Sequence, residues 1–144
     1  MKLTILLNQS EKKGVLIVVD TNILVNALKS KRPNSKSVRL IEDILNGKHH
    51  MCVSTEIMSE YRDVLHRSYL NLPSNKVDYL LSWIRINSVW IEPKPTTPRE
   101  VIMVDEKDRC FFDVSRCLHI KLITRNHKHY PVHELITLID EFYP

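Results

Sequence analysis

The chain has only two glycines among its 144 residues, and neither lies in a glycine-rich loop of the kind that cradles phosphates. This excludes nucleotide sites built from backbone amides at a tight glycine turn. Its three cysteines, Cys52, Cys110 and Cys117, are an odd number with no metal-type spacing. Cys110 and Cys117 fall on one expected helix, where seven residues at about 1.5 Å rise put their Cα atoms roughly 10 Å apart, beyond disulfide reach. All three are expected to be buried, reduced thiols of a cytoplasmic protein. No apolar run approaches the roughly 20 residues of a membrane span. The opening MKLTILLNQSEKKG lacks the small-residue cleavage site of a secretory leader. Residues 1–14 are expected to be an N-terminal extension or an edge strand. No internal repeat or low-complexity tract interrupts the rest.

What is present is the composition of one globular domain, with 43% hydrophobic and 26% charged residues. The net charge of +4 leans mildly towards polyanions. The β-branched run VLIVV (15–19) reads as a buried strand, followed by a helix over 22–29. A basic loop, KSKRPNSKS, leads to an amphipathic helix with Val38, Ile41 and Leu45 on one face and Gly47 at its C-terminal cap. A second strand is expected at 50–54. The helix over 54–70, capped by Ser54 or Thr55, has Ile57, Met58, Tyr61, Val64 and Leu65 as its apolar face. Another helix spans 74–87 and a third strand 88–92. The proline-rich PKPTTP cannot be regular structure. A helix over 105–120, a strand at 121–124 and, at 134–139, a fifth strand in preference to a short helix complete the chain. Such alternation predicts an α/β three-layer sandwich with a mostly parallel sheet of about five strands. Trp83 and Trp90 are expected in the core or at a subunit interface.

Ligands of open α/β sheets bind beyond the carboxyl ends of strands. Asp20 follows the first strand, Ser54 the second, Asp105 and Asp108 the third and its loop, and Arg125 and Asn126 the fourth. The helix after the second strand adds Glu56, Glu60 and Asp63. Carboxylates gathered at one place repel: a pair about 4 Å apart costs on the order of 4 kcal/mol at an effective dielectric near 20. Such a cluster takes up protons, disperses, or binds a cation. Oxygen ligands without His or Cys select Mg²⁺ or Mn²⁺, which suits phosphodiester chemistry. Each acid also has a plainer role. Asp20 and Asp108 could cap helices, and the acids of the second-strand helix could form a solvated face. Spacing alone does not choose between Glu56 and Glu60. The basic RNHKHY, with Arg125, His127, Lys128 and His129 for phosphates and Tyr130 for base stacking, suits an RNA strand. The basic loop after the first helix could bind RNA or an acidic partner tail, or be solvated. An adjacent pair, His49 and His50, points apart on a strand and is a poor metal pair.

VVDTNILVNAL, CVSTEIMSEYRDVL, DEKDRCFFDVSRCL and KLITRNHKHY resemble, in order, the four motifs of PIN-domain ribonucleases. The nearest group is the bacterial toxin component of toxin–antitoxin systems, the VapC-type toxins. The resemblance runs from about residue 15 to the C-terminus and implies a single PIN-like, Rossmann-like domain over 15–144. It implies a Mg²⁺- or Mn²⁺-dependent endoribonuclease with Asp20, Glu60 and Asp108 as catalytic acids and metal ligands, and Asp105 as a metal-adjacent acid. It selects Glu60 over Glu56. Thr21, Asn22 and Thr124 match positions that orient acids or waters. The fourth acid, often Asp, is here Asn126, which removes one negative charge. A cognate antitoxin and a homodimer are the partners it implies, with no membrane. Two other readings compete. One is a PIN-like module that binds nucleic acid or protein without cutting. The other is a phosphotransferase or phosphatase with Asp20 as nucleophile; that chemistry looks for a second acid two residues on, where Asn22 stands.

Overall fold

The computed structural model describes residues 15–144, so the extension or edge strand expected over 1–14 lies outside the described residues. Strands β1 (Leu16–Val19), β2 (His50–Val53), β3 (Val89–Trp90), β4 (Lys121–Thr124) and β5 (Ile136–Leu138) form one sheet in the order β3-β2-β1-β4-β5. Every pairing is parallel, with Ile17 opposite Met51, Val19 opposite Ile123 and Ile123 opposite Thr137. Parallel strands need crossovers, and helices supply them: α1 (Thr21–Lys29), α2 (Lys36–Leu45), α3 (Thr55–Leu65), α4 (Ser74–Asn87), α5 (Arg109–Leu118) and the short α6 (Ile139–Phe142). The expected α/β sandwich therefore forms, and its sheet is wholly parallel. Ile17, Val18 and Val19 of β1 are fully buried, as a central strand covered on both faces requires.

Local chemistry sets the helix ends. Ser54 caps α3, its Oγ accepting the Ile57 N–H at 3.2 Å. The α2 helix ends in a Schellman turn, in which Gly47 N–H donates to Ile44 and Lys48 N–H to Asp43. Gly47 sits at φ +80°, a backbone conformation that favours glycine.

Several elements differ from expectation. The buried stripe of α2 is Ser37, Leu40 and Ile44, while Leu45 is exposed. Contacts with α1 on one side and α6 on the other set the rotation of this helix, and its apolar rows lie too close together for sequence to choose. The helix expected over 54–70 stops at Leu65. The His66 ring takes the Arg62 carbonyl at 2.7 Å, and a 3-10 turn follows at Ser68–Leu70. The helix expected over 105–120 opens as a 3-10 turn, Glu106–Asp108, whose Lys107 N–H donates to Asp105. Strand five is confined to three residues, because Ile139–Phe142 turns helical. Cys52 and Cys110 are buried as expected, and burial pushes the Cys52 thiol up to about 12. Cys117 is exposed, because it lies on the outer face of α5. Trp83 packs partly against the core. Trp90 is 44% exposed and donates its indole N–H to the Arg85 carbonyl.

The segment between β3 and α5 is irregular, as its prolines dictate, yet it is held by two buried charges. Asp113 of α5 accepts the Thr96 N–H at 3.1 Å and the Thr96 hydroxyl at 2.6 Å. Arg109 donates to Glu106, Thr96 and the Val101 carbonyl. This network fixes the strap that leads into Asp105 and Asp108. Asp113→Ala leaves two donors of the strap without an acceptor, and is expected to cost about 2 kcal/mol. Urea unfolding followed by circular dichroism measures that loss, and an unchanged midpoint would mean the strap is held by other contacts.

Candidate active site

The order β3-β2-β1-β4-β5 has its switch point between β1 and β4, since the chain leaves β1 towards β2 and returns at β4 on the other side. The connections diverge there and open a crevice at the carboxyl edge of the sheet. Asp20 follows β1, Thr124 ends β4, and their neighbours Val19 and Ile123 are in register.

Asp20 is 2% exposed and tethered at three points. Its N–H donates to the Ile123 carbonyl at 2.9 Å, and its carbonyl accepts from Ile23 at 3.0 Å, which opens α1. Its side chain does not cap that helix. Instead Oδ2 accepts from the Thr124 hydroxyl at 2.7 Å. The Asn126 N–H donates to the same hydroxyl at 3.2 Å. The hydroxyl has one proton and two acceptors in reach, and the contact to Asp20 is much shorter than the 3.4 Å to the Asn126 carbonyl. Burial raises the Asp20 pKa, while Thr124, the Asn22 amide, nearby His129 and the Thr21 amide oppose the rise. Beneath it the buried Tyr61 hydroxyl donates to the Val19 carbonyl, and the Tyr61 ring rests 5.7 Å from that of Phe111.

Glu60, Asp105 and Asp108 lie near enough to feel one another's charge. The Asp108 carboxyl is pushed up to about 7, first by burial and then by the charges of Asp20, Asp105 and Glu60. Glu60 is raised mainly by burial, with Asp63 and Asp105 adding and Lys107 and Arg67 opposing. Glu60, not Glu56, is therefore the acid of α3 that acts on Asp108. Asp63 is tied instead to Arg67 at 3.0 Å. Asp105 is exposed and also holds the Lys107 amide. The four acids share one field without closing into a cage. Among the described residues no three of His, Cys, Asp and Glu stand close enough to hold an ion. By chemical type the donors, all carboxylate oxygens, are those a hard divalent cation takes, and burial, with the neighbouring charges second, pushes Asp108 up to about 7.

The remaining expected residues are distributed unevenly. Thr21 is buried and Asn22 exposed at the start of α1. Asn126 is exposed, and its Oδ1 caps a 3-10 turn by accepting the Lys128 N–H at 3.0 Å. Arg125 and Lys128 are exposed. Tyr130 corrects an expectation. It is 4% exposed and part of the core, because the 127–129 turn folds the chain back over it, so it cannot stack on a base. His49 packs edge-on against Phe142 at 5.1 Å and lies 3.8 Å from Asp43, a packing role rather than half of a metal pair. Sequence reasoning named His129 only as a phosphate contact, whereas here its charge acts on Asp20. It missed Tyr61 as the support of the Val19 carbonyl, and the Arg109 and Asp113 staple. A buried-type aromatic one residue after Glu60, and charges on an otherwise apolar helix face, were the available signals.

A family model for the PIN domain matches residues 16–128. The chain belongs to the PIN-domain family. No curated protein matches it. PIN domains are in general nucleases and typically use divalent metal ions, and the acids of this PIN domain lie at the switch point where such a site is expected. Among the described residues no helix is long and apolar enough to cross a membrane.

The field at Asp108 has a measurable consequence. An unfolded aspartate titrates near about 3.9, and this one near about 7. Between those values the folded state holds a proton that the unfolded chain has released. The stabilising contribution is thus complete below about pH 4 and lost as pH rises through about 7. In EDTA at pH 8, Asp108→Asn is expected to raise stability by about 1 kcal/mol, discounted for the partial exposure of the site. The gain shrinks at pH 5. Thermal melts at the two pH values check this, and an equal shift at both would remove the charge explanation.

Proposed function

We propose that this PIN domain is a metal-dependent endoribonuclease, the toxin of a toxin–antitoxin pair, acting in the cytoplasm on RNA. The observation that supports it most is the convergence of Asp20, Glu60, Asp105 and Asp108 in one field at the β1/β4 crevice. The toxin role rests on the order of the four motifs and their likeness to VapC-type toxins.

In this reading Asp20, Glu60 and Asp108 hold Mg²⁺ or Mn²⁺, with Asp105 beside them. A divalent ion bound there would lower the pKa of a water and neutralise phosphate oxygens during in-line attack. The chain's own residues do the positioning. Thr124 holds Asp20 by donating its hydroxyl proton to Oδ2. Tyr61 and the Ile123 carbonyl fix the backbone on either side of it. The Arg109 and Asp113 staple presets the approach to Asp108, so little ordering is needed when substrate arrives. His129 stands near enough to Asp20 to favour its ionised form. Asn126 leaves this side of the crevice with one charge fewer than an aspartate would. A cognate antitoxin covering the crevice and a homodimer complete the proposal, with residues 15–144 as one folding unit.

The test is a cleavage assay on a pool of structured RNAs, transfer RNAs included, in Mg²⁺, Mn²⁺ and EDTA, with Asp20→Asn alongside. Cuts that need the metal and fall by at least about 10²-fold in the variant are expected. The variant should keep the wild-type circular dichroism spectrum. Equal cleavage by Asp20→Asn would remove Asp20 from the chemistry. No cleavage in any metal, together with no Mn²⁺ binding by calorimetry, would leave a PIN module that binds without cutting.

A further inference from the structure

The turn after α1 and the residue after β4 are far apart in sequence, yet they wall one open basin of about 570 Å³. Lys29, Lys31, Arg32 and Arg125 line it, with Asn26 and Ser35 as neutral polar neighbours and no carboxylate. Among the described residues none of the four cations makes an ion pair. Nearby cations are engaged: Lys36 meets Asp140 at 3.0 Å, and Arg39 lies 4.1 Å above the Tyr143 ring. Four unpaired positive charges around one hollow repel one another and attract a multiply charged anion. The turn is held by its backbone, with the Arg32 N–H on the Ser30 hydroxyl and the Ser35 N–H on the Arg32 carbonyl. Its long side chains remain available. Ser35 also caps α2, a ten-residue helix, so the positive end of that helix faces the same hollow.

The basin adjoins the acidic crevice. Arg125 directly follows Thr124, whose hydroxyl holds Asp20, and Asn26 lies on the helix that begins one residue after Asp20. We propose that this basin is a backbone-phosphate subsite that seats the RNA strand beside the acids. This rests on RNA being the substrate of the crevice. Its groups are cations and small polar side chains, with no stacked ring, so it contributes affinity and register rather than base choice.

The test is fluorescence anisotropy of the full chain with a fluorescein-labelled 12-nucleotide oligouridylate in EDTA, titrated with NaCl. The combined Lys29→Ala, Lys31→Ala and Arg32→Ala variant is expected to lower the slope of log K against log salt by about 2. Arg125→Ala is expected to lower it by about 0.7, the value for one single-strand phosphate contact. Arg125→Lys should keep the wild-type slope. Lys76→Ala, a cation on α4 outside the basin, should leave it unchanged. Unchanged slopes in the basin variants, an equal loss in Lys76→Ala, or no binding by the wild type would overturn the proposal. So would displacement of the oligonucleotide by a polyglutamate of equal charge as effectively as by unlabelled RNA, which would assign the basin to an acidic protein segment. Binding in EDTA does not depend on cutting. A slope that falls in a chain with no nuclease activity overturns only the cleavage reading, and a cutting chain with unchanged slopes overturns only the basin.

Discussion

The constraint on which the structure turns is the burial of one carboxylate. Asp20 stands at the end of a fully buried strand, where an ionised group without partners would be costly. The fold answers with the Thr124 hydroxyl, the first amides of α1 and the nearby His129. Of these, Thr124 and His129 reach Asp20 only because β4 lies beside β1, and β4 lies there because the chain crosses over after β3. Switching the strand order would separate Asp20 from Thr124 and leave the acid without its main hydrogen bond.

The same placement explains why the Asp108 carboxyl is pushed up to about 7. It sits at the junction of the 3-10 turn and α5, half-buried, where the charges of Asp20, Asp105 and Glu60 all reach it. Its side chain caps neither element. A residue that stabilised only its own helix would bond to that helix's amides, as Ser54 does in α3. Asp108 instead spends its position on a field that opposes its own ionisation, a local cost that a cation would reverse. The strap between β3 and α5 allows this. Arg109 and Asp113 anchor its backbone, so repulsion among the acids cannot be relieved by letting the loop drift.

Much of this was legible in the sequence because it is written in short patterns. A β-branched run ending in Asp-Thr-Asn marks β1 and its acid, and Ser54 three residues before Ile57 marks the α3 cap. The alternation of strands and helices gives the sheet. What was not legible depends on contacts between distant segments. Tyr130 sits in a run of His, Lys and Arg and reads as a surface ring, and only the fold of the 127–129 turn puts it in the core. Ser37, Leu40 and Ile44 became the inner row of α2 because α1 and α6 close on that side. The exposure of Cys117 follows from which face of α5 meets the sheet. Arg109 and Asp113 read as ordinary helix charges until the proline-rich strap folds against them.

Charge is partly sorted at this end of the sheet: the basin holds cations without a carboxylate, although Lys107 and Arg67 stand near the acids. Asp20, Glu60, Asp105 and Asp108 share one field, while Lys29, Lys31 and Arg32 line a basin with Arg125, the residue after Thr124. A chain of net charge +4 could have spread its cations evenly, which would lower their mutual repulsion. Sorting them raises the electrostatic energy of the free protein on both sides of the crevice. A polyanion and a divalent cation relieve both sides together, because each neutralises what the fold has concentrated. An acidic pocket alone would repel an RNA strand, and a basic basin alone would hold it without chemistry. In the proposed reading, the step from Thr124, which holds Asp20, to Arg125 of the basin would couple the approach of the strand to the neutralisation of the acids.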